Sequence, residues 1–282
     1  MHHRGALTLM VLSAGTALGC MVAAACGSFS GGETPATEVA DALIESSGDT
    51  PDVRDGGPQS DGGGDAATDG ACKQGRDNRL VLRVGPVCID ALEVSVEKYG
   101  LFVDASAAVP DAGITACSGN NIHPGGPCAP AASDTPQRCV DWCDAYEYCE
   151  WAGKHLCGAI GGGPLRLADA NSAKRDAWYR ACAGADGGRM YAYGNVYDMT
   201  ACQTEGSDVT DVGSKARCTT PEGVLDLIGN AREWIDSCED PGSTCMNRGG
   251  VFSGGNNARC GLGQMIGRSV TSDEIGFRCC SD

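Results

Sequence analysis

The densest run of chemically capable residues is Gly223-Val224-Leu225-Asp226-Leu227-Ile228-Gly229-Asn230-Ala231-Arg232-Glu233-Trp234. Val224, Leu225, Leu227 and Ile228 make a strand-like apolar run, and Gly229-Asn230 ends it with residues that tolerate the positive φ of a tight turn. Asp226 and Glu233 flank the turn, so two carboxylates and nearby main-chain carbonyls can converge on one point. That is an all-oxygen donor set, suited to a hard cation such as calcium. By spacing alone, a buried turn between two solvated acids is the favoured reading.

Cysteine is the other reactive group. The chain has eighteen, against four histidines. No Cys-x-x-Cys pair occurs, so the pattern is not that of a thiolate metal site. Dispersed cysteines behind an export signal read as disulfides formed in an oxidising compartment. Sixteen fall between Cys72 and Asp282, an even number. The only histidines beyond the leader are His123 and His155, too few for a histidine metal cage or a recognisable nucleophilic triad.

The elements that would position these groups follow from local pattern. Arg79–Val84 and Val87–Ile89 read as short strands about Gly85-Pro86. Val94 to Val103 has helical spacing, with Ser95 as a cap. Residues 104–138 are loop, stapled by Cys117 and Cys128. The clearest helix begins at Asp141, with Trp142, Ala145, Cys149 and Ala152 on one face and Gly153 as the stop. A second main helix is expected from about Ser172 to Cys182, and the remainder is glycine-rich with short strand-like pieces. The Gly158–Pro164 loop lacks the Lys-Ser/Thr pair of a phosphate cradle. The fold class is therefore α+β, with two main helices, a small twisted sheet, much irregular structure, and disulfides doing more than strand ladders to hold it.

Composition bounds the rest. The formal net charge of −16 excludes nucleic acid and anionic membrane surfaces as partners. Residues 1–26 form an export signal: Arg4 opens it, an apolar run follows, and small residues precede Cys20 and Cys26. Cys26 is the favoured lipidation site, because Gly27 then begins a polar stretch; Cys20 is the alternative, and an ordinary secretory signal would leave both unmodified. Residues 27–71 carry ten acids against Arg54 alone and almost no large apolar residues, so they read as a disordered acidic tether. Residues 72–282 are the folded domain, long enough for one well-buried core.

At this point several blocks in order resemble the formylglycine-generating enzyme, or sulfatase-modifying factor, family. They are Ile89-Asp90-Ala91-Leu92-Glu93-Val94-Ser95 with Tyr99 and Phe102; Asp144-Ala145-Tyr146 through Trp151-Ala152-Gly153-Lys154-His155-Leu156; Trp178 with Cys182-Ala183-Gly184; Tyr193-Gly194-Asn195; the 223–234 block; Arg248-Gly249-Gly250; and Ile275-Gly276-Phe277-Arg278-Cys279. The resemblance implies a fold related to C-type lectins. It implies structural calcium on the Asp226 side chain, the Gly229 and Ala231 carbonyls and the Glu233 carboxylate. It also implies disulfides Cys149–Cys279 and Cys182–Cys260. Cys238–Cys245 and Cys202–Cys218 are expected as local pairs, and the remaining pairings stay open.

The family oxidase holds copper(I) on two cysteines in the loop after its Arg-Gly-Gly block, a soft-ligand site suited to that ion. Here the loop runs from Val251 to Cys260, and Gly254 and Arg259 stand at the two cysteine positions. Copper is therefore not expected. Two functions remain open: an envelope-anchored binding or scaffold module, monomeric and taking a protein, peptide or glycan in a groove floored by Asn256, Asn257 and Arg259; or a divergent oxidase that converts a substrate cysteine to formylglycine. Under either, contact with a membrane is through the lipid anchor alone.

Overall fold

The computed structural model describes residues 71–105, 115–125, 128, 132–239 and 243–282. The signal 1–26, its Cys26, and the tether 27–71 up to residue 70 lie outside the described residues. All described residues fall in one compact unit.

Among the described residues, eight strands form two four-stranded sheets. The first has the order β1-β2-β8-β3, from β1 (Val81–Val84), β2 (Val87–Asp90), β3 (His155–Leu156) and β8 (Cys279–Ser281), all antiparallel. The second has the order β6-β5-β4-β7, from β4 (Arg232–Cys238), β5 (Thr244–Arg248), β6 (Gly263–Gly267) and β7 (Ile275–Phe277), with β4 and β7 parallel. Pairing thus does more than one small sheet would. The second sheet is inconspicuous in sequence because its strands are short and glycines, which have little strand propensity, fall in β6 and β7.

Three α-helices among the described residues pack against the sheets. α1 (Val96–Ala105) starts where the Ser95 hydroxyl accepts from the Lys98 N–H at 3.4 Å, and it buries Tyr99 and Phe102. α2 (Trp142–Trp151) begins with a reciprocal capping box. Asp141 accepts from the Asp144 N–H at 3.0 Å, and Asp144 accepts from the Asp141 N–H at 2.8 Å. α3 (Ala177–Ala183) is shorter than its pattern implied. Asp176 takes the cap, accepting from the Tyr179 N–H at 2.9 Å, while 172–176 is a turn closed onto the Ser172 carbonyl. The same Asp176 pairs with Arg248 at 2.7 Å, so a tertiary contact fixes the start of the helix.

Two buried clusters form the interior. One gathers Ile89, Leu165, Trp178, Leu227, Ile228 and Ile235. The other gathers Tyr99, Phe102, Trp142, Tyr148, Trp151, Trp234 and Phe277. In the second, the Tyr99 and Tyr148 rings stack at 5.7 Å and Phe277 meets Tyr148 edge-on at 5.3 Å.

All sixteen cysteines from Cys72 onward are paired. Cys149–Cys279, Cys182–Cys260, Cys202–Cys218 and Cys238–Cys245 form as expected. The others are Cys72–Cys88, Cys117–Cys143, Cys128–Cys139 and Cys157–Cys280. Cys117 and Cys128 therefore tie their loop to α2 and to the segment before it, not to each other. Successive strand residues face opposite sides of a sheet, and β8 uses this. Cys279 reaches Cys149 in the aromatic cluster, and Cys280 reaches Cys157 in the aliphatic one. The strand is stapled from both faces.

Candidate functional site

The 223–234 block is a buried, positive-φ turn feeding β4. Its strand follows the turn; the apolar run before it is irregular and packs into the aliphatic cluster. Asp226, Gly229 and Asn230 have φ of 55°, 73° and 53°. A Cβ on Gly229 would lie 2.3 Å from the Gln203 carbonyl oxygen, so only glycine fits there.

The turn brings its two carboxylates into one charged cluster. Glu233 is held bidentately by Arg278: Nε donates to Oε2 at 2.8 Å and one terminal nitrogen donates to Oε1 at 2.7 Å. The Trp178 indole adds a third bond, donating to Oε2 at 2.7 Å. Asp226 accepts from the Gly213 N–H at 2.6 Å. Arg278 also donates to the carbonyls of Asp90 and Leu225, which fixes its plane.

A third acid completes the cluster, and the sequence pattern assigned it no role. Glu93 accepts from the Asn230 side chain at 2.7 Å and from the Ala231 N–H at 3.1 Å. It lies 137 residues from Asn230, so only the tertiary fold pairs them. Burial pushes the Glu93 carboxyl well above its usual range, and Asp226 and Glu233 add to the shift. Burial likewise raises Asp226 to about 6. Burial is the main source of these shifts, and the neighbouring acids, held against one guanidinium, add to it.

Asp226 and Glu233 are the carboxylates, and Gly229 and Ala231 the carbonyl-bearing residues, that would hold a calcium ion at this turn; both Glu233 oxygens already accept from Arg278 and Trp178. Such an ion would share Glu233 with Arg278. No group of three or more His, Cys, Asp or Glu is gathered as a preformed metal site among the described residues, so main-chain carbonyls would have to supply part of the shell.

The Val251–Cys260 loop lies directly above this turn. The Phe252 N–H donates to the Asn230 carbonyl at 2.9 Å, and the Gly255 N–H to the Thr204 carbonyl at 2.8 Å. A single 3-10 turn, Gly255–Asn257, carries Asn256 and Asn257. Both are exposed, as is Arg259, so these three form an outer surface and not a floor. Tyr191 donates to the Asn256 carbonyl at 3.1 Å and stacks on Tyr193 at 5.6 Å. Cys260 is bonded to Cys182. His123 is exposed, and the His155 ring lies 3.1 Å from the Leu156 carbonyl through Nδ1.

Comparison with protein families matches residues 56–282 to the sulfatase-modifying factor enzyme 1-like domain, FGE-sulfatase. The chain belongs to the sulfatase-modifying factor family. Among solved structures, it resembles PvdO from Pseudomonas aeruginosa, with 18% identity and a TM-score of 0.51, over 74% of this chain and 99% of that one. It also resembles CarF, with 17% identity and a TM-score of 0.50, over 72% and 92% respectively. At these identities the likeness is one of fold, and the fold is that of the formylglycine-generating enzymes, related to C-type lectins. No curated protein matches. The extensive disulfides are consistent with an extracytoplasmic protein. Among the described residues, no helix is long and apolar enough to cross a membrane.

Proposed function

We propose that this member of the sulfatase-modifying factor family is a binding or scaffold module, lipid-anchored through Cys26 in the bacterial cell envelope, and not a copper-dependent oxidase. One observation carries the reading. Gly254 and Arg259 stand where the oxidase has its cysteines, and the neighbouring Cys260 is consumed by a disulfide to Cys182. A copper(I) site needs thiolates, and every described cysteine is already paired. Calcium, held at the Asp226–Glu233 turn, serves as a structural ion that steadies the base of the loop. Ligands are a protein, peptide or glycan, engaged by a monomeric domain on the Val251–Cys260 side.

The test joins a copper(I) competition titration to incubation with cysteine peptides, using the exported, non-reduced protein. The reading expects no copper binding tighter than the competitor and no loss of peptide thiol. Stoichiometric copper binding with conversion of the peptide cysteine to an aldehyde would establish the divergent oxidase instead.

A further inference from the structure

A cavity of about 500 Å³ opens beside the start of α1, within the size range of sites that hold small ligands or a few side chains. Leu80, Leu92, Val212 and Leu225 give it largely apolar walls, from four separate stretches of chain. Main-chain bonds tie these stretches together. The Ala91 N–H donates to the Leu80 carbonyl, the Leu225 N–H to the Ala91 carbonyl and the Val212 N–H to the Asp134 carbonyl, each at 2.9 Å. Gly213 lies against Leu92, where a Cβ would come within 2.9 Å of the side chain. The cavity is therefore built into the fold. Two leucines stay in solvent at its edge. Leu80 is 64% exposed, and Leu101, on the α1 face shared with Glu97 and Lys98, is 45% exposed. Exposed apolar side chains continuous with an apolar cavity mark a contact surface.

The charged residues lining the cavity are Arg79, Glu97, Lys98, Asp134 and Asp211. Arg79 is buried, pairs with Asp90 at 3.3 Å and donates to the Leu92 and Glu93 carbonyls. Lys98 lies 3.6 Å from Glu97. Asp134 and Asp211 are exposed, and neither pairs with a base among the described residues. Arg138 is held by Asp208 at 2.9 Å, and Lys215 acts on buried Asp226. Two carboxylates without a counter-charge thus stand beside apolar walls.

We infer that this cavity docks a segment of a partner protein in which aliphatic side chains lie next to lysine or arginine. The aliphatic groups pack among Leu80, Leu92 and Leu225, and the cations face Asp134 and Asp211. Charge complementarity selects this occupant. An anionic lipid or a nucleic acid meets like charge here, and so does the chain's own acidic stretch 27–71. None of the lining residues is aromatic, so a sugar ring has no platform on which to stack. None belongs to the Val251–Cys260 loop either, so the site is additional to the ligand side proposed above and does not depend on it.

The experiment titrates the ¹⁵N-labelled full chain, disulfides intact, with three capped peptides: acetyl-Lys-Leu-Leu-Lys-amide, acetyl-Glu-Leu-Leu-Glu-amide and acetyl-Lys-Ser-Ser-Lys-amide. The proposal expects saturable shifts of the Leu80, Leu92 and Val212 N–H signals with the first peptide. Binding should be about tenfold weaker for the second, which reverses the charge, and about tenfold weaker for the third, which removes the apolar contact. Leu80→Ser alters a side chain already in solvent, so the variant folds, and it should weaken the first peptide about threefold. Asp134→Lys combined with Asp211→Lys, also at exposed positions, should exchange the ranking of the first two peptides. Equal binding of the first two, a third peptide as strong as the first, or no saturable shift with any of them would overturn the assignment. The same signals shifting with protein concentration in the absence of peptide would also overturn it, by making a second copy of the chain the occupant.

Discussion

Cys149–Cys279 and Cys157–Cys280 are nested cross-links with nearly the same span, and their contributions to stability should be strongly coupled. Each closes a long loop, with sequence separations of 130 and 123, but Cys182–Cys260 lies inside both. That bridge leaves an effective ring of roughly 50 residues, for which the chain-entropy relation gives about 4 kcal/mol. Once one is present, the second closes only a small ring: eight residues from Cys149 to Cys157 and one from Cys279 to Cys280. A ring of about ten residues is worth roughly 2.7 kcal/mol by the same relation. Replacing either pair with alanine should therefore cost about 2.7 kcal/mol through this effect, and replacing both about 6.7 kcal/mol, an excess of about 1.4 kcal/mol over additivity. Lost sulfur packing adds to each single change but cancels in the cycle. Urea denaturation of the wild type, the two double-alanine variants and the quadruple variant measures it. Costs that simply add would refute the nested-loop reasoning.

Further outcomes follow from the buried charges. Glu233→Gln leaves Arg278 buried without its bidentate partner, which should lower stability by about 3–5 kcal/mol in denaturant titration. If calcium occupies the turn, chelation should lower the melting temperature and Glu233→Ala should abolish the chelator's effect; free calcium a thousandfold above its Kd corresponds to about 4 kcal/mol, and melting indifferent to calcium in the wild type would remove the ion. The Asp144 carboxyl, raised to about 7 by burial and by the nearby Asp141, binds a proton more tightly folded than unfolded. Its contribution is complete below about pH 4 and is lost as pH rises towards 7. Asp144→Asn should therefore flatten the decline in melting temperature across that window, and an unchanged slope would show that Asp144 is not its source.

How much of this was readable from sequence depends on how local each signal is. The cap at Asp141, the stop at Gly153 and the hairpin about Gly85-Pro86 are local, and they appear where the pattern puts them. The start of α3 is not local: Asp176 wins over Ser172 because it also binds Arg248, 72 residues away. The Cys157–Cys280 pair could not be read without knowing that β8 lies in a sheet with a core on each face. Once that is known, the adjacent cysteines must seek partners on opposite sides. At the site, Asp226 and Glu233 stand out by their spacing about a turn. Glu93 and Arg278 do not, since one lies far before the block and the other far after it. The cavity beside α1 carries no sequence signal at all, because only the fold brings Leu80, Leu92, Val212 and Leu225 together.

Whether this chain keeps the family fold without the family's thiol chemistry is decided by a count of its free thiols. The exported protein, unfolded without reductant in the presence of an alkylating agent, should gain no adduct on any cysteine from Cys72 to Cys280 by mass spectrometry. Two adducts, with one on Cys260, would contradict the claim and return the oxidase reading to the protein.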